Sequence, residues 1–378
     1  MATCATRRPV RVDLSETRPS AMQMTGSTKK GTKMTVNRKT STQRKPFLNR
    51  MVLAMVTLAA VTCLFACDWP EPKSVAPAEK ATIAFSSSHN GFLADVAQVK
   101  GFFQQEGLDV TPLLHAYGKL ALDDVLAGKA DFATVAETPV MFAILNGADL
   151  SIIATIHKTK TDSAIVARTD KGIVTPDDLK GRKIAATFGT TSDFFLDVFL
   201  AVNAIARENI ELVNLGQEEM AQALADGKID AVSAFYPFLL ATQKQIGEGG
   251  TTFYNKNIYT KTFNIVSTKE FVNHNPGKVN KVLRALQRAE KFFEQNPEES
   301  FKIAADFKKQ DITATREMLA GTSVELSLDQ SLILVLEDES QWAIKSKLTS
   351  ASKVPNYLHY IYFDGLKSIK PTAVHILK

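Results

Sequence analysis

Thr190, Thr191 and Ser192 are the residues whose types and spacing point most directly to chemistry. These three hydroxyls follow Gly189 at the end of the apolar run 183–187. Glycine takes backbone angles closed to other residues, so the chain can turn sharply out of a strand here. The hydroxyls then fall at helix-capping positions, with Asp193 adding negative charge in the first turn. Two readings fit this pattern. One is an ordinary cap. The other is an uncharged receptor for a small oxyanion, in which free backbone N–H groups and a positive helix end sit among hydroxyl donors. No Ser/His/Asp arrangement, HExxH motif or phosphate-binding loop accompanies it, so neither a catalytic residue nor a metal or cofactor site is expected.

The elements around this junction alternate. Ala81–Phe85 reads as a strand, 91–105 as a helix with Phe92, Val96, Val99 and Phe103 on one face, and Leu108–Val110 as a strand. A helix over 119–126 stopped by Gly128, a strand at 131–135, a helix from Pro139 to Gly147 and strands at 151–156 and 164–167 follow. This order predicts an α/β protein with mostly parallel sheets. The scheme then repeats: strand 184–187, helix 192–206, strand 210–213, helix 218–225, strand 229–233. Leu126-Ala-Gly-Lys-Ala-Asp-Phe132 is echoed by Leu224-Ala-Asp-Gly-Lys-Ile-Asp-Ala231. Beyond the extended run 263–267, Pro276–Gln295 carries apolar residues at helical spacing and predicts a packing helix. Further helices are expected over 297–307, 313–319 and 338–348.

The 378 residues are 45% hydrophobic, enough for two domains, and the formal charge of +5 suggests a nucleic-acid partner only until the chain is divided. Residues 1–50 hold twelve Lys/Arg and two acidic residues, which leaves 33 basic against 38 acidic from 51 onward, a net of −5. A nucleic-acid partner is therefore excluded as an expectation. Met51–Ala66 is sixteen uncharged residues, short for a membrane span and suited to the core of a secretory signal. It ends on Leu64-Phe-Ala-Cys67, which resembles the lipobox of bacterial lipoproteins, although Phe65 is bulky for its position. A signal cut without lipidation and a retained anchor helix are the alternatives, and Met34 and Met51 are alternative starts. Cys4 and Cys63 fall in the leader, so no disulfide is expected. Asp68 resembles an inner-membrane retention signal.

Lys100-Gly-Phe-Phe-Gln-Gln-Glu-Gly-Leu-Asp-Val110, Ala127–Ala133, Asp178–Ile184, Gly189–Ser192 and Gly227–Ala231 with Pro237-Phe238 together resemble the periplasmic substrate-binding proteins of ABC importers. The resemblance is to the nitrate/sulfonate/taurine group and its thiamine-pyrimidine-precursor relatives. It implies a two-lobed, type II-like Venus-flytrap fold with two doubly wound sheets joined by hinge strands near 161–169 and 261–267. The expected division is a leader over 1–66, a lipidated tether over 67–79, lobe one over 80–165 and 265–378, and lobe two over 166–264.

The resemblance also implies a site at strand-to-helix junctions. The implied ligand contacts are Ser88, His89 and Asn90 after the first strand, Glu137 and Thr138 after the third, Thr190, Thr191 and Ser192 in the second lobe, and Tyr236 after its last strand. The family's usual tryptophan and glutamate stand here as Phe235 and Tyr236. No Arg or Lys falls at a clear cleft junction, so a monoanion or a zwitterion whose ammonium meets Glu137 is expected rather than a multiply charged phosphate. The implied protein is a monomeric, non-enzymatic lipoprotein of the periplasm or cell surface, lipid-anchored through Cys67. It would deliver an alkanesulfonate, taurine, nitrate or similar solute to an ABC permease. A sensor for a receptor kinase and a pyrimidine-synthase-like enzyme are the alternatives.

Overall fold

A computed structural model describes residues 77–254 and 260–377. All described residues belong to one compact unit, Val75–Lys378. The leader, Cys67 and most of the tether lie outside the described residues. No described helix is long and apolar enough to cross a membrane.

In chain order the elements that matter here are β1 (Glu79–Ser86), α1 (Phe92–Val99), β2 (Leu108–His115), α2 (Gly118–Leu126), β3 (Phe132–Ala136), α3 (Glu137–Leu145), β4 (Leu150–Thr159) and β5 (Ser163–Arg168). They continue with β6 (Lys183–Ala186), α4 (Thr191–Val202), β7 (Glu211–Asn214), α5 (Gln217–Ala225), β8 (Ala231–Phe235), β9 (Gly250–Tyr254) and β10 (Lys261–Thr268). Three long helices follow: α6 (Pro276–Gln295), α7 (Pro297–Lys308) and α8 (Gln330–Lys345).

Two five-stranded sheets result, ordered β2-β1-β3-β10-β4 and β7-β6-β8-β5-β9. In each, the first three strands run parallel and the last two pairings are antiparallel. Four of the five strands in each sheet therefore run the same way, as expected of a mostly parallel sheet, and the fourth place in each is taken by the one opposed strand, which adjoins a crossing between sheets. The echoed sequence phrases lead into β3 and β8, which hold the same third place. The chain leaves the first sheet after Thr159, enters the second at Ser163, and is back in the first sheet from Lys261. All of Lys261–Thr268 pairs with β4, from Lys261 opposite Thr159 to Thr268 opposite Leu150.

Helix α6 packs as its periodicity predicts, burying Val279, Val282, Leu283, Leu286 and Ala289. A fully buried side chain such as Leu286 contributes about 1.5–3 kcal/mol. The expected helix over 91–105 is interrupted instead. Gly101 takes φ 67°, which ends α1 and redirects the chain into a short turn of helix, Phe102–Gln105. Val99 consequently faces solvent, 49% exposed, while Phe102 packs on Phe292 with ring centroids 6.0 Å apart. Helix α8 begins at Gln330, two turns ahead of the expected 338, because Leu332, Ile333 and Leu336 are buried.

Candidate functional site

Both sheets present strand ends to a small cavity between them, of about 20 Å³, whose lining comes from both sides of the crossings. The first sheet contributes Ser86 and Ser88 after β1, Tyr117 and Gly118 after β2, and Ala136 and Pro139 after β3. The second contributes Thr190 and Thr191 after β6 and Phe235 at the end of β8, while Lys261 and Phe263 come from β10. Gly118 is required by close approach, since a Cβ there would lie 2.9 Å from Val135 Cα. The rings of Tyr117 and Phe235 meet edge to face across the space, with centroids 6.4 Å apart.

The glycine-hydroxyl junction divides its labour. Gly189 sits at φ 71° and its N–H donates to Asp193 Oδ2 at 3.2 Å. Thr190 is the N-cap of α4: its hydroxyl accepts from Ser192 N at 3.2 Å and donates to the Thr187 carbonyl at 2.6 Å. Ser192 instead turns into the second lobe, donating to the Ser233 carbonyl at 2.7 Å. Asp193 braces the helix start against Arg207 at 3.1 Å. Burial pushes its carboxyl up, and the Arg207 guanidinium opposes that shift. The cap reading of the motif holds at Thr190, while Thr190 and Thr191 also line the cavity and Ser192 and Asp193 bond within the second lobe.

The cavity also holds a cation that sequence reasoning missed. Lys261 Nζ lies 2.5 Å from Asp162 Oδ2 and 5.0 Å from the centre of the Phe235 ring. Asn90 Nδ2 donates to the same carboxylate oxygen at 3.0 Å and to Ser88 Oγ at 2.8 Å. Burial pushes the Asp162 carboxyl up, but the Lys261 ammonium and the Asn90 amide outweigh it and hold the group below the usual carboxylate range. The only sequence signal was a lysine opening a strand, Lys261-Thr-Phe-Asn-Ile-Val, whose other residues are buried. Beside this pair, burial pushes the His157 imidazole down to about 4, and among the described residues neither ring nitrogen has a partner.

Three further expected contacts, Glu137, Thr138 and Tyr236, do not line this cavity. Glu137 is fully buried in the first lobe, where its Oε2 accepts from Thr262 N at 2.7 Å and Thr262 Oγ1 at 3.0 Å. Thr138 donates to Glu339 Oε1 of α8 at 2.7 Å. Neither lines the cavity, because the start of α3 turns both side chains toward β10 and α8. The two buried carboxyls repel one another: burial pushes Glu137 up to about 7, and burial together with Glu137 raises Glu339 well above its ordinary value. Tyr236 lines a separate opening with Thr161, Tyr254 and Glu317. The side chain of His89 lies outside the described residues.

A wider groove adjoins the cavity, sharing Lys119 and Pro139 with it and lined further by Leu122, Phe142 and Phe188. The lobes also meet directly. Trp342 of α8 donates through Nε1 to Asp197 Oδ2 of α4 at 2.7 Å, and its ring meets Phe142 and Phe194 at 5.7 and 5.1 Å. These contacts join α8 of the first lobe to α4 of the second. Among the described residues, no group of three or more His, Cys, Asp or Glu side chains is placed to hold a metal ion.

The chain is similar to known proteins in both sequence and fold. A family model described as NMT1/THI5 like matches residues 86–300, more than half of the chain. A putative binding protein of Brucella abortus (strain 2308) is 26% identical over 235 residues, covering 58% of this chain and 71% of its own length. The putative aliphatic sulfonates-binding protein of Bacillus subtilis (strain 168) is 26% identical over 232 residues, covering 60% and 70%. Among solved structures, the alkanesulfonate-binding protein from Xanthomonas axonopodis pv. citri bound to MOPS aligns with a TM-score of 0.65 at 18% identity, covering 76% of this chain and 99% of that one. This last likeness shows a shared periplasmic binding protein fold.

Proposed function

The chain belongs to the NMT1/THI5-like family, and we propose that it is an extracytoplasmic solute-binding protein that captures a small anion or zwitterion between its lobes. The observation that carries this reading is the small space, adjoining the wider groove, in which Lys261 stands among the hydroxyls of Ser86, Ser88, Thr190 and Thr191, drawn from both sheets. Lysine offers three N–H donors, of which Asp162 takes one. The pair is formally neutral, so a monoanion or zwitterion balances the site better than a dianion. Candidate solutes are alkanesulfonates, taurine and nitrate, the first in line with the name of the Bacillus subtilis relative. No side chain around the cavity is set up as a nucleophile with an adjacent base, which favours binding over catalysis.

Capture is a population shift. A ligand touching both sheets stabilises the closed arrangement, in which Trp342 reaches Asp197. Delivery to an ABC permease, and anchoring through lipid on Cys67, complete the proposal.

The test is a thermal-shift and calorimetric panel of taurine, alkanesulfonates, nitrate, bicarbonate and aminopyrimidines. A ligand at 100 times its Kd adds about 2.7 kcal/mol of stability. That corresponds to a rise in Tm of about 4 °C in a folded chain of this size. A panel in which none of these solutes raises Tm refutes the proposed ligand class.

A further inference from the structure

Lys308, the last residue of α7, ends in a sealed position behind the loop that follows β1. Its side chain is 2% exposed and its Nζ lies 2.7 Å from the Ser86 carbonyl oxygen, 2.5 Å from the Ser88 carbonyl oxygen and 2.9 Å from Asp95 Oδ2. Asp95, on α1, is fully buried. Ser86 and Ser88 are the two residues of this loop that line the cavity. Resting on the solute-binding reading above, we infer that Lys308 is a positioning residue that sets the polarity of this wall of the cavity and thereby its preference for anions.

A carbonyl oxygen carries partial negative charge and points one way. Two of them turned toward the cavity would repel an anion in a space where charges are poorly screened. Lys308 draws both to the far side. What remains at the cavity is the Ser86 hydroxyl, which already accepts from Ser88 N at 3.1 Å, and the Ser88 hydroxyl, which accepts from Asn90 Nδ2. Among the described residues neither hydroxyl has an acceptor of its own, so each keeps its O–H for a ligand. The same loop carries Asn90, whose amide joins the Asp162–Lys261 pair. A lysine that never touches the ligand thus governs three groups that face it or support the groups that do.

The alternative is that Lys308–Asp95 only staples α7 to α1. The two roles separate in a pair of variants. Asp95→Asn removes the counter-charge but leaves Nζ on both carbonyls, whereas Lys308→Met frees the carbonyls. The double variant frees them without leaving a buried charge unpaired. With taurine and butanesulfonate as probes, Lys308→Met and the double variant should lose about tenfold in affinity, the worth of hydrogen bonds to a charged group, while Asp95→Asn stays within about threefold. Hydrogen exchange on the ligand-free double variant should show faster exchange of the amides of 87–91 with β3 unchanged. If affinity merely follows stability across the three variants, or the 87–91 amides keep their protection, the positioning role is overturned. If neither probe binds the parent protein, the solute reading fails instead, and the exchange measurement still decides whether Lys308 holds the loop.

Discussion

Lys261 and Asp162 lie on the two separate crossings between the sheets, and their 2.5 Å contact ties those crossings together at the wall of the cavity. Removing the cation alone leaves a buried carboxylate unpaired, which costs about 3–5 kcal/mol. Lys261→Met is therefore expected to be strongly destabilised and not to bind anions. Lys261→Met/Asp162→Asn should regain much of the stability without regaining binding, as read by chemical denaturation beside calorimetry with a sulfonate. Binding restored in the double variant would show that Lys261 serves only the fold.

The adjacent hydroxyls predict opposite phenotypes. Thr191 lines the cavity, so Thr191→Val should weaken anion binding by about tenfold, the loss of a hydrogen bond to a charged group, with little change in Tm. Ser192 bonds only inside its own lobe, so Ser192→Ala should lower stability by about 1–3 kcal/mol and leave affinity nearly unchanged. Equal effects on both readouts for both variants would contradict the division.

The Glu137–Glu339 pair predicts a proton linkage. The Glu137 carboxyl is raised from 4.5 to about 7 in the folded chain, so folding takes up a proton between these values and stability falls as pH rises through that window. Asp95, raised to about 7, acts in the same direction. His157, pushed down to about 4, acts oppositely below 6.5, since the unfolded imidazole takes up a proton that the buried one refuses. The diagnostic quantity is thus the difference between Glu137→Gln and parent. The variant should gain stability at pH 8 relative to pH 5, because glutamine accepts from Thr262 and can donate to Glu339 without charge. A difference that does not change with pH would remove Glu137 from the titration.

The proposed closure rests on the polar contact between Trp342 and Asp197. Trp342→Phe keeps the ring against Phe142 and Phe194 but deletes the bond to Asp197. Affinity for any captured solute should fall several-fold, about 1 kcal/mol for a lost hydrogen bond. Small-angle scattering should show the liganded variant closing less completely. An unchanged Kd would mean that closure is held elsewhere.

The anchor is tested through Cys67. Cys67→Ser should abolish lipid labelling and release the protein from membranes, and a variant that stays bound to membranes as firmly as the parent would refute lipidation.

Much of this architecture was legible in the chain because it is written in local patterns. The alternation of short apolar runs with helical spacing, and the echo that leads into β3 and β8, placed the strands that now occupy the third position of each sheet. The pairing of β10 between β3 and β4 was not legible, since nothing local to 261–268 says which strands flank it. The site followed the same rule. Thr190 and Thr191 could be read from a glycine turn and a cap. The burial of Glu137 is not legible because its partners, Thr262 and Glu339, are 125 and 202 positions away, and the place of Lys261 is not legible because its partner Asp162 is 99 away.

The strand order of the first sheet has a consequence for synthesis. Residues 163–254 contain every strand of the second sheet as one uninterrupted stretch, so that lobe can complete itself as soon as Tyr254 has emerged. The first sheet cannot. Its strands β3 and β4 keep open edges until β10 arrives between them, and its covering helix α6 comes later still. Exposed strand edges pair readily with other chains. The portion of this protein made first is therefore the last to be sealed, and its period of greatest risk falls between the emergence of Thr159 and that of Thr268.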